Sequence, residues 1–535
     1  MNPSRRFHPS IPAIVFIIWW IVATVVFPDR MLNADGDMLR HIRHGDQMLA
    51  QGALIHFDPF SYTRGGDPFV GFEYGSQLLL ALVHRAAGLA GVAIFAGFLI
   101  ATAYALLTRF LLSRGVDAFL SYLVGVGAAI LGSVHWSARP HLFTLIGVML
   151  VLHLLEPPAE RDPNRNLRGG PARERPLVRT LVLSLILYAV WANLHGGFVF
   201  GLVLTGIYFA GSVLEMLIDR SRETASAWRR LAVRYFALGI AALAGTFLTP
   251  NGVALHAHII GFFGERFLMD NTQEFLSPDF HSLVGKLLLL ALLGVLTLFA
   301  ITPSRPDLRR LLLVLSLVYF SLDARRNIQL FGATVLPVLA LQYDPVWRRL
   351  RDWRGIRAVF ERDARLGRTL PYAVALAAFF ALVAAGHGAI SGVRIVPDTL
   401  DPDQFPIAIV ERARADGVEG RIFHDFVWGG YLLYAWPEQK VFIDGGTDFY
   451  GPELLRAYMD AASLRPGWRD SLASWSIDYA LVAPTTTFAH ELLRQPGWGV
   501  RDCDQTAVLL ERVNGSLAVD ADSALAACSA TPTTR

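Results

Sequence analysis

The chain has 535 residues, 53% of them hydrophobic and only 17% charged, with a mean hydropathy of +0.41. That composition excludes a string of soluble domains, and a formal charge of +3 gives no support to a nucleic-acid partner. With two cysteines in all, Cys503 and Cys528, neither a cysteine zinc cluster nor an iron–sulfur site is on offer.

The first apolar run, 11–27, follows Arg5 and Arg6 as the core of a signal peptide would. No small-residue cleavage site follows it, because the chain continues Pro28-Asp29-Arg30, so it reads as a retained membrane anchor. Crossing a bilayer takes about 20 mostly apolar residues. Runs that meet or approach this are 11–27, 89–108, 117–134, 141–155, 177–192, 198–218, 235–249, 284–302, 311–322, 328–342 and 371–390. The stretch 75–87 is too short and too polar to span, and fits an interfacial or re-entrant helix. The predicted fold class is therefore an α-helical polytopic membrane protein with about eleven transmembrane helices.

Arginine placement orients these spans. With Arg5 and Arg6 in the cytoplasm, the loops 109–116, 156–176, 219–234, 303–310 and 343–370 also fall inside. They hold Arg161, Arg165 and Arg168, then Arg229, Arg230 and Arg234, then Arg348, Arg349 and Arg351. An odd number of spans puts residues 391–535 outside. The other face receives the loop 28–88, HWSARPH (135–141), WANLHGG (191–197), the loop 250–283 and DARRN (323–327). Polar groups at a membrane rim are costly unless something uses them, so these pieces predict an external cavity.

The division expected is a transmembrane domain over 1–390, whose external loop 28–88 carries interfacial helices, and an external domain over 391–535. In the tail, 421–426, 440–444, 479–484 and 507–512 read as short buried strands, with helices over 452–462 and 488–495. That alternation predicts a small α/β domain with a largely parallel sheet. Gly429-Gly430-Tyr431 and Asp444-Gly445-Gly446 are turn chemistry at strand ends. A Cys503–Cys528 bridge and two unpaired thiols both remain open, the second because Cys528 sits in an Ala/Ser/Thr-rich terminus.

Asp35 and Asp37 form an Asp-x-Asp pair directly beyond the first span. A helix over 37–50 places Asp37, His41 and His44 on one face. A partly desolvated carboxylate there suits a general base, whereas the structural alternative is a helix cap. Further polar residues at the outer rim are Glu73, His141, Asn193, His195, His256 and Glu274, candidates for lining a cavity or contacting substrate. Asn193 and His195 lie in a Gly-rich break between two apolar runs, a feature tolerated where it faces a cavity. Arg325 and Arg326 break the charge rule by lying outside, where they either pair with Asp323 and lipid headgroups or bind an anion. Trp19, Trp20 and Trp136 read as interfacial aromatic belts.

An N-terminal span, an acidic pair in the first external loop, interfacial helices, many spans and a terminal external domain together resemble the GT-C superfamily of membrane glycosyltransferases. The plan is similar to that of the protein O-mannosyltransferases and aminoarabinose transferases. Locally, Asp37, His41 and Gly45, then DPFSYT (58–63), FEYGSQ (72–77), WANLHGGF (191–198), LTPNG (248–252), DARRN (323–327), WGGYLLY (428–434) and VFIDGGTD (441–448) resemble bacterial membrane proteins of that type. The resemblance implies a bacterial inner-membrane enzyme that moves a sugar from a polyprenyl-phosphate donor to a hydroxyl of a glycan, lipid or protein acceptor. It implies Asp37, or failing it Asp35, as the base, with Arg325 and Arg326 suited to the departing phosphate. Some members use a divalent cation, and Asp, Glu and His are enough for one, but no tight ligand spacing picks out a metal site. Two other classes compete: a transporter or flippase of a lipid-linked glycan, and a non-catalytic assembly protein. A transporter predicts internal repeats and charges near the midplane, and the sequence has neither.

Overall fold

In the computed structural model, residues 9–34, 36–156, 176–219, 221–302, 306–350, 370–513 and 520–529 are described. Asp35 and the arginines at 5, 6, 161, 165, 168 and 351 lie outside them. The chain forms two compact units, one of residues 1–28, 93–256 and 269–396, the other of residues 29–92, 257–268 and 397–535.

The first unit is helical apart from a two-residue antiparallel ladder between 389–390 and 393–394, and each of the eleven apolar runs falls largely on a helix. Among the described residues, four helices are long and apolar enough to cross a membrane: Tyr74–Ser113, Ala118–His135, Phe198–Ile218 and Leu283–Ile301. Side-chain caps set several starts. Ser10 accepts from the Ala13 amide, Asp117 from those of Phe119 and Leu120, Ser282 from Gly285, and Asp307 from Arg310. Large apolar residues point outward along Leu177–Ala192 and Leu283–Ile301, including Val178, Val190, Leu290 and Leu296. Such faces are stable against lipid and costly against water.

The stretch 75–87 is continuous with the next apolar run in one helix, Tyr74–Ser113, but the backbone breaks at Ala87 and Gly88. Gly88 takes φ +61°, which glycine adopts without steric cost. The carboxylate of Asp398 then accepts from the Ala90 amide at 2.7 Å, capping the half-helix that follows the break.

The second unit carries a four-stranded sheet of β1 (Ile422–His424), β2 (Tyr479–Val482), β3 (Trp498–Cys503) and β4 (Val508–Arg512), in the order β1-β2-β4-β3. Only β1 and β2 run parallel; β4 is antiparallel to both its neighbours, which corrects the largely parallel sheet expected. The cause is the short connection at 504–507, where Asp504 accepts from the amides of Thr506 and Ala507, so that β3 and β4 form a hairpin. Segment 440–444 is not a sheet strand. Val441 instead bridges in parallel to Ser61, exchanging backbone bonds with Phe60 and Tyr62. The core behind the sheet packs Phe423 among Phe442, Tyr458 and Phe488. Cys503 and Cys528 are disulfide-bonded, tying the helix Ala521–Ser529 to the end of β3.

Candidate functional site

The predicted site residues divide between the two units. In the second, the helix Asp37–Gln51 begins from Gly36, which offers no side-chain cap, so Asp37 stands in the first turn. Two close backbone approaches place that turn. A Cβ on Gly36 would lie 2.6 Å from the Val427 carbonyl, and one on Gly430 would lie 2.1 Å from the Gly36 carbonyl. The Asp37 carboxylate rests on the loop after 443: a Cβ on Gly445 would fall 1.7 Å from its Oδ1. Gly445 is thus required for close approach, beyond the turn chemistry read from the sequence.

Arg40, one turn on, joins the helix to that loop. Its Nε lies 3.9 Å from Asp37 Oδ1 and 3.8 Å from Asp444 Oδ1. Burial works against the guanidinium's charge, but Asp37, Asp444, Glu73 and Asp448 outweigh it and raise its pKa. Asp444 is 4% exposed and accepts from the Gly446 amide at 2.7 Å and the Tyr450 hydroxyl at 3.1 Å. Burial pushes its carboxyl up to about 6, against the pull of Arg40. Burial would also raise Asp448, yet the hydrogen bond and charge of His258, at 2.9 Å, together with Arg40, bring it below its ordinary value. On the same helix, buried His41 places Nδ1 3.6 Å from Glu73 Oε2 and 3.4 Å from the Gln77 amide nitrogen.

In the first unit a second cluster forms at helix ends. Glu274, on the turn Gln273–Phe275, accepts from Arg139 at 2.6 Å and stands 3.9 Å from both His135 Nε2 and Arg326 Nη1. Burial would raise its carboxyl, but Arg139, His135 and Arg326 hold it far below the usual range. His195 follows the helix Leu177–Ala192, with Nδ1 2.7 Å from the Thr144 hydroxyl and 3.0 Å from the Gly197 amide. Burial, aided by Arg326 and Arg139, lowers its pKa to about 3, so it is neutral. His141 donates from Nε2 to the His135 carbonyl at 2.7 Å, and burial lowers it well below the ordinary value. Arg326 also lies over the Phe275 ring at 4.6 Å, while the Arg325 amide donates to the Leu276 carbonyl.

The structure therefore gathers His141, His195, Glu274 and Arg326 in one cluster, and Asp37, His41 and Glu73 in the other. Two predicted residues are engaged elsewhere. Asn193 donates to the carbonyls of Ala189 and Leu248, and His256 bonds the Thr246 hydroxyl and the Gly252 carbonyl while stacking on Phe247. Arg40, Asp444, Asp448, His258 and Arg139 were not singled out by sequence. Arg40 was within reach, three residues after Asp37 on a predicted helix; nothing at His258 distinguishes it from any histidine near an apolar run. Among the described residues no group of three or more His, Cys, Asp or Glu is placed to hold a metal ion.

No family model matches the chain, and no curated protein matches it. Among solved structures it is similar to the archaeal oligosaccharyltransferase AglB from Archaeoglobus fulgidus, in complex with an inhibitory peptide and a dolichol-phosphate. The TM-score is 0.49 at 13% identity, over 89% of this chain and 69% of that one.

Proposed function

We propose that the protein is a membrane glycosyltransferase that moves a sugar from a polyprenyl-phosphate-linked donor to an acceptor hydroxyl. The observation that carries this reading is Asp37: a first-loop carboxylate at an uncapped helix start, seated on the Gly445 backbone and beside Arg40. In this reading Asp37 takes the proton of the acceptor hydroxyl as its oxygen attacks the anomeric carbon, and the bond to the lipid phosphate breaks. The departing phosphate needs cationic stabilisation more than a proton, and Arg325 and Arg326 supply it, joined by Arg139. Glu274 is held ionised by Arg139 and Arg326, which leaves the cluster cationic by one charge before Arg325 is counted.

The phosphate role is tested on the purified full chain with undecaprenyl phosphate as probe. Arg326→Lys keeps the charge but loses the planar fork, so affinity should fall by an intermediate amount, and Arg326→Ala by at least about tenfold. Unchanged binding in the Ala variants at both 325 and 326 would leave these arginines as headgroup contacts.

The same proposal puts the N-terminus in the cytoplasm and residues 391–535 outside a bacterial inner membrane, from the arginine distribution. With the native cysteines bonded to each other, single cysteines introduced at positions 170 and 460 report the two faces. A membrane-impermeant thiol reagent should reach 460 in intact cells and 170 only after permeabilisation; the opposite pattern reverses the orientation.

A further inference from the structure

A guanidinium beside a general base works against it, because a nearby positive charge favours the ionised carboxylate and makes it a poorer proton acceptor. Arg40 stands in that position toward Asp37, its Nε 3.9 Å from Asp37 Oδ1. Something must share that charge if Asp37 is to take a proton.

Asp444 is placed to do so. Its Oδ1 lies 3.8 Å from the same Arg40 nitrogen, which makes no hydrogen bond to either carboxylate. At Nε the guanidinium is therefore shared between two anions rather than committed to one. Asp444 is held by donors of its own, the Gly446 amide on Oδ1 at 2.7 Å and the Tyr450 hydroxyl on Oδ2 at 3.1 Å. It is buried, and a Cβ on Gly429 would fall 3.1 Å from the Asp444 Cβ, so the side chain has little room to leave. The Oδ1 atoms of Asp37 and Asp444 lie within about 8 Å of each other, a range at which one charge moves another carboxyl's midpoint by about one pH unit.

The other ionisable groups around this pair have different partners. Glu73 faces His41 at 3.6 Å, and Asp448 accepts from His258 at 2.9 Å. His44 is kept neutral by burial, reinforced by Arg40 and Arg43. Asp58 is raised by burial, but its oxygens are taken by the Ser61 hydroxyl and the amides of Phe60 and Ser61. Asp444 combines contact with Arg40 and a carboxyl that burial pushes up to about 6.

We infer that Asp444 is a positioning residue for Asp37: ionised, it holds the Arg40 guanidinium between two carboxylates and so keeps Asp37 able to take the acceptor's proton. Protonated, it leaves more of that charge to Asp37, which becomes a weaker base, so transfer declines as the solution is acidified through the Asp444 midpoint. The inference rests on the transferase reading for the role of Asp37, and its readout is titration rather than turnover.

The test is a pH-difference infrared titration of the full chain, labelled with ¹³C-aspartate, in lipid nanodiscs. A protonated-carboxyl band that is missing from Asp444→Asn should titrate near pH 6 in the native chain. In Asp37→Asn its midpoint should fall by about one pH unit, because the anion that opposes ionisation of Asp444 is gone. Coupling between two sites is reciprocal, so that fall measures how far ionised Asp444 raises the basicity of Asp37. In Tyr450→Phe the midpoint should rise, since the hydroxyl that favours the anion is lost. Should Asp444→Asn fail to fold, the Tyr450→Phe shift assigns the band. A midpoint unmoved in Asp37→Asn would overturn the inference, as would a native chain with no such titrating band. If Asp37→Asn is inactive while the midpoint stays put, Asp444 alone loses its role; full turnover in the Asp35/Asp37 double Asn variant ends the base mechanism itself.

Discussion

Replacing Asp37 with Asn is expected to lower turnover by about 10²–10⁴-fold while donor binding and folding persist. Asn nearly preserves the shape resting on Gly445 and can still accept a hydrogen bond, but it cannot take a proton at neutral pH. Arg40 keeps Asp444 as its counter-charge after the change, so the helix–loop contact should hold. A cap would behave otherwise, since Asn caps helices as well as Asp does. The structure weakens the capping alternative for Asp37 itself, because Gly36 is the N-cap residue and Asp37 lies one position inside. The measurement is sugar transfer from a polyprenyl-phosphate donor in membranes carrying equal amounts of each variant. Asp35→Asn serves as the internal control, and if it alone abolishes transfer, the roles within the pair are reversed. Full activity of the double Asn variant would end the mechanism and favour a carrier or scaffold.

The second large effect is on stability. Phe423→Ala should destabilise the second unit by about 3–5 kcal/mol, the usual cost of truncating a buried phenyl ring. Phe423 is 1% exposed on β1, an edge strand of the sheet, with its ring 5.1 Å from Tyr458, 5.3 Å from Phe442 and 5.0 Å from Phe488. Those neighbours come from different elements and cannot all collapse into the space left behind. Phe423→Leu should cost clearly less, because it retains most of the contact on both sides. Denaturant unfolding of the full chain, followed by tryptophan fluorescence from Trp468 and Trp498 in the same core, measures both. A loss below about 1 kcal/mol for Phe423→Ala would mean that this ring does not anchor the core.

The apolar helices were legible because span length and hydropathy are local properties. All eleven runs fall largely on helices, and the break before 89–108 showed itself as a shift to polar residues, with Gly88 at the bend. The helix from Asp37 was equally legible, since periodicity put Asp37, His41 and His44 on one face; that His41 and His44 are buried is what the structure adds. Strand content was read less well. Segment 440–444 has the apolar texture of a buried strand, but its hydrogen bonds go to the loop at 60–62, a choice of partner that texture does not encode. β3 escaped notice because WGVRDC has neither alternation nor an apolar run, and it is a strand by virtue of its hairpin with β4.

By itself, then, the sequence determined the membrane class, the helices, the helical face carrying Asp37 and His41, and the arginine asymmetry, each set by neighbours within a few turns. Tertiary structure decided the rest. It joined residues 29–92 to the tail in one compact unit, paired Arg40 with Asp444, some 400 positions on, and set Glu274 between Arg139 and Arg326. The reason is physical. A carboxylate's role depends on which charges and backbone atoms come within a few ångströms of it, and those arrive from chain segments whose separation in sequence carries no information about their distance.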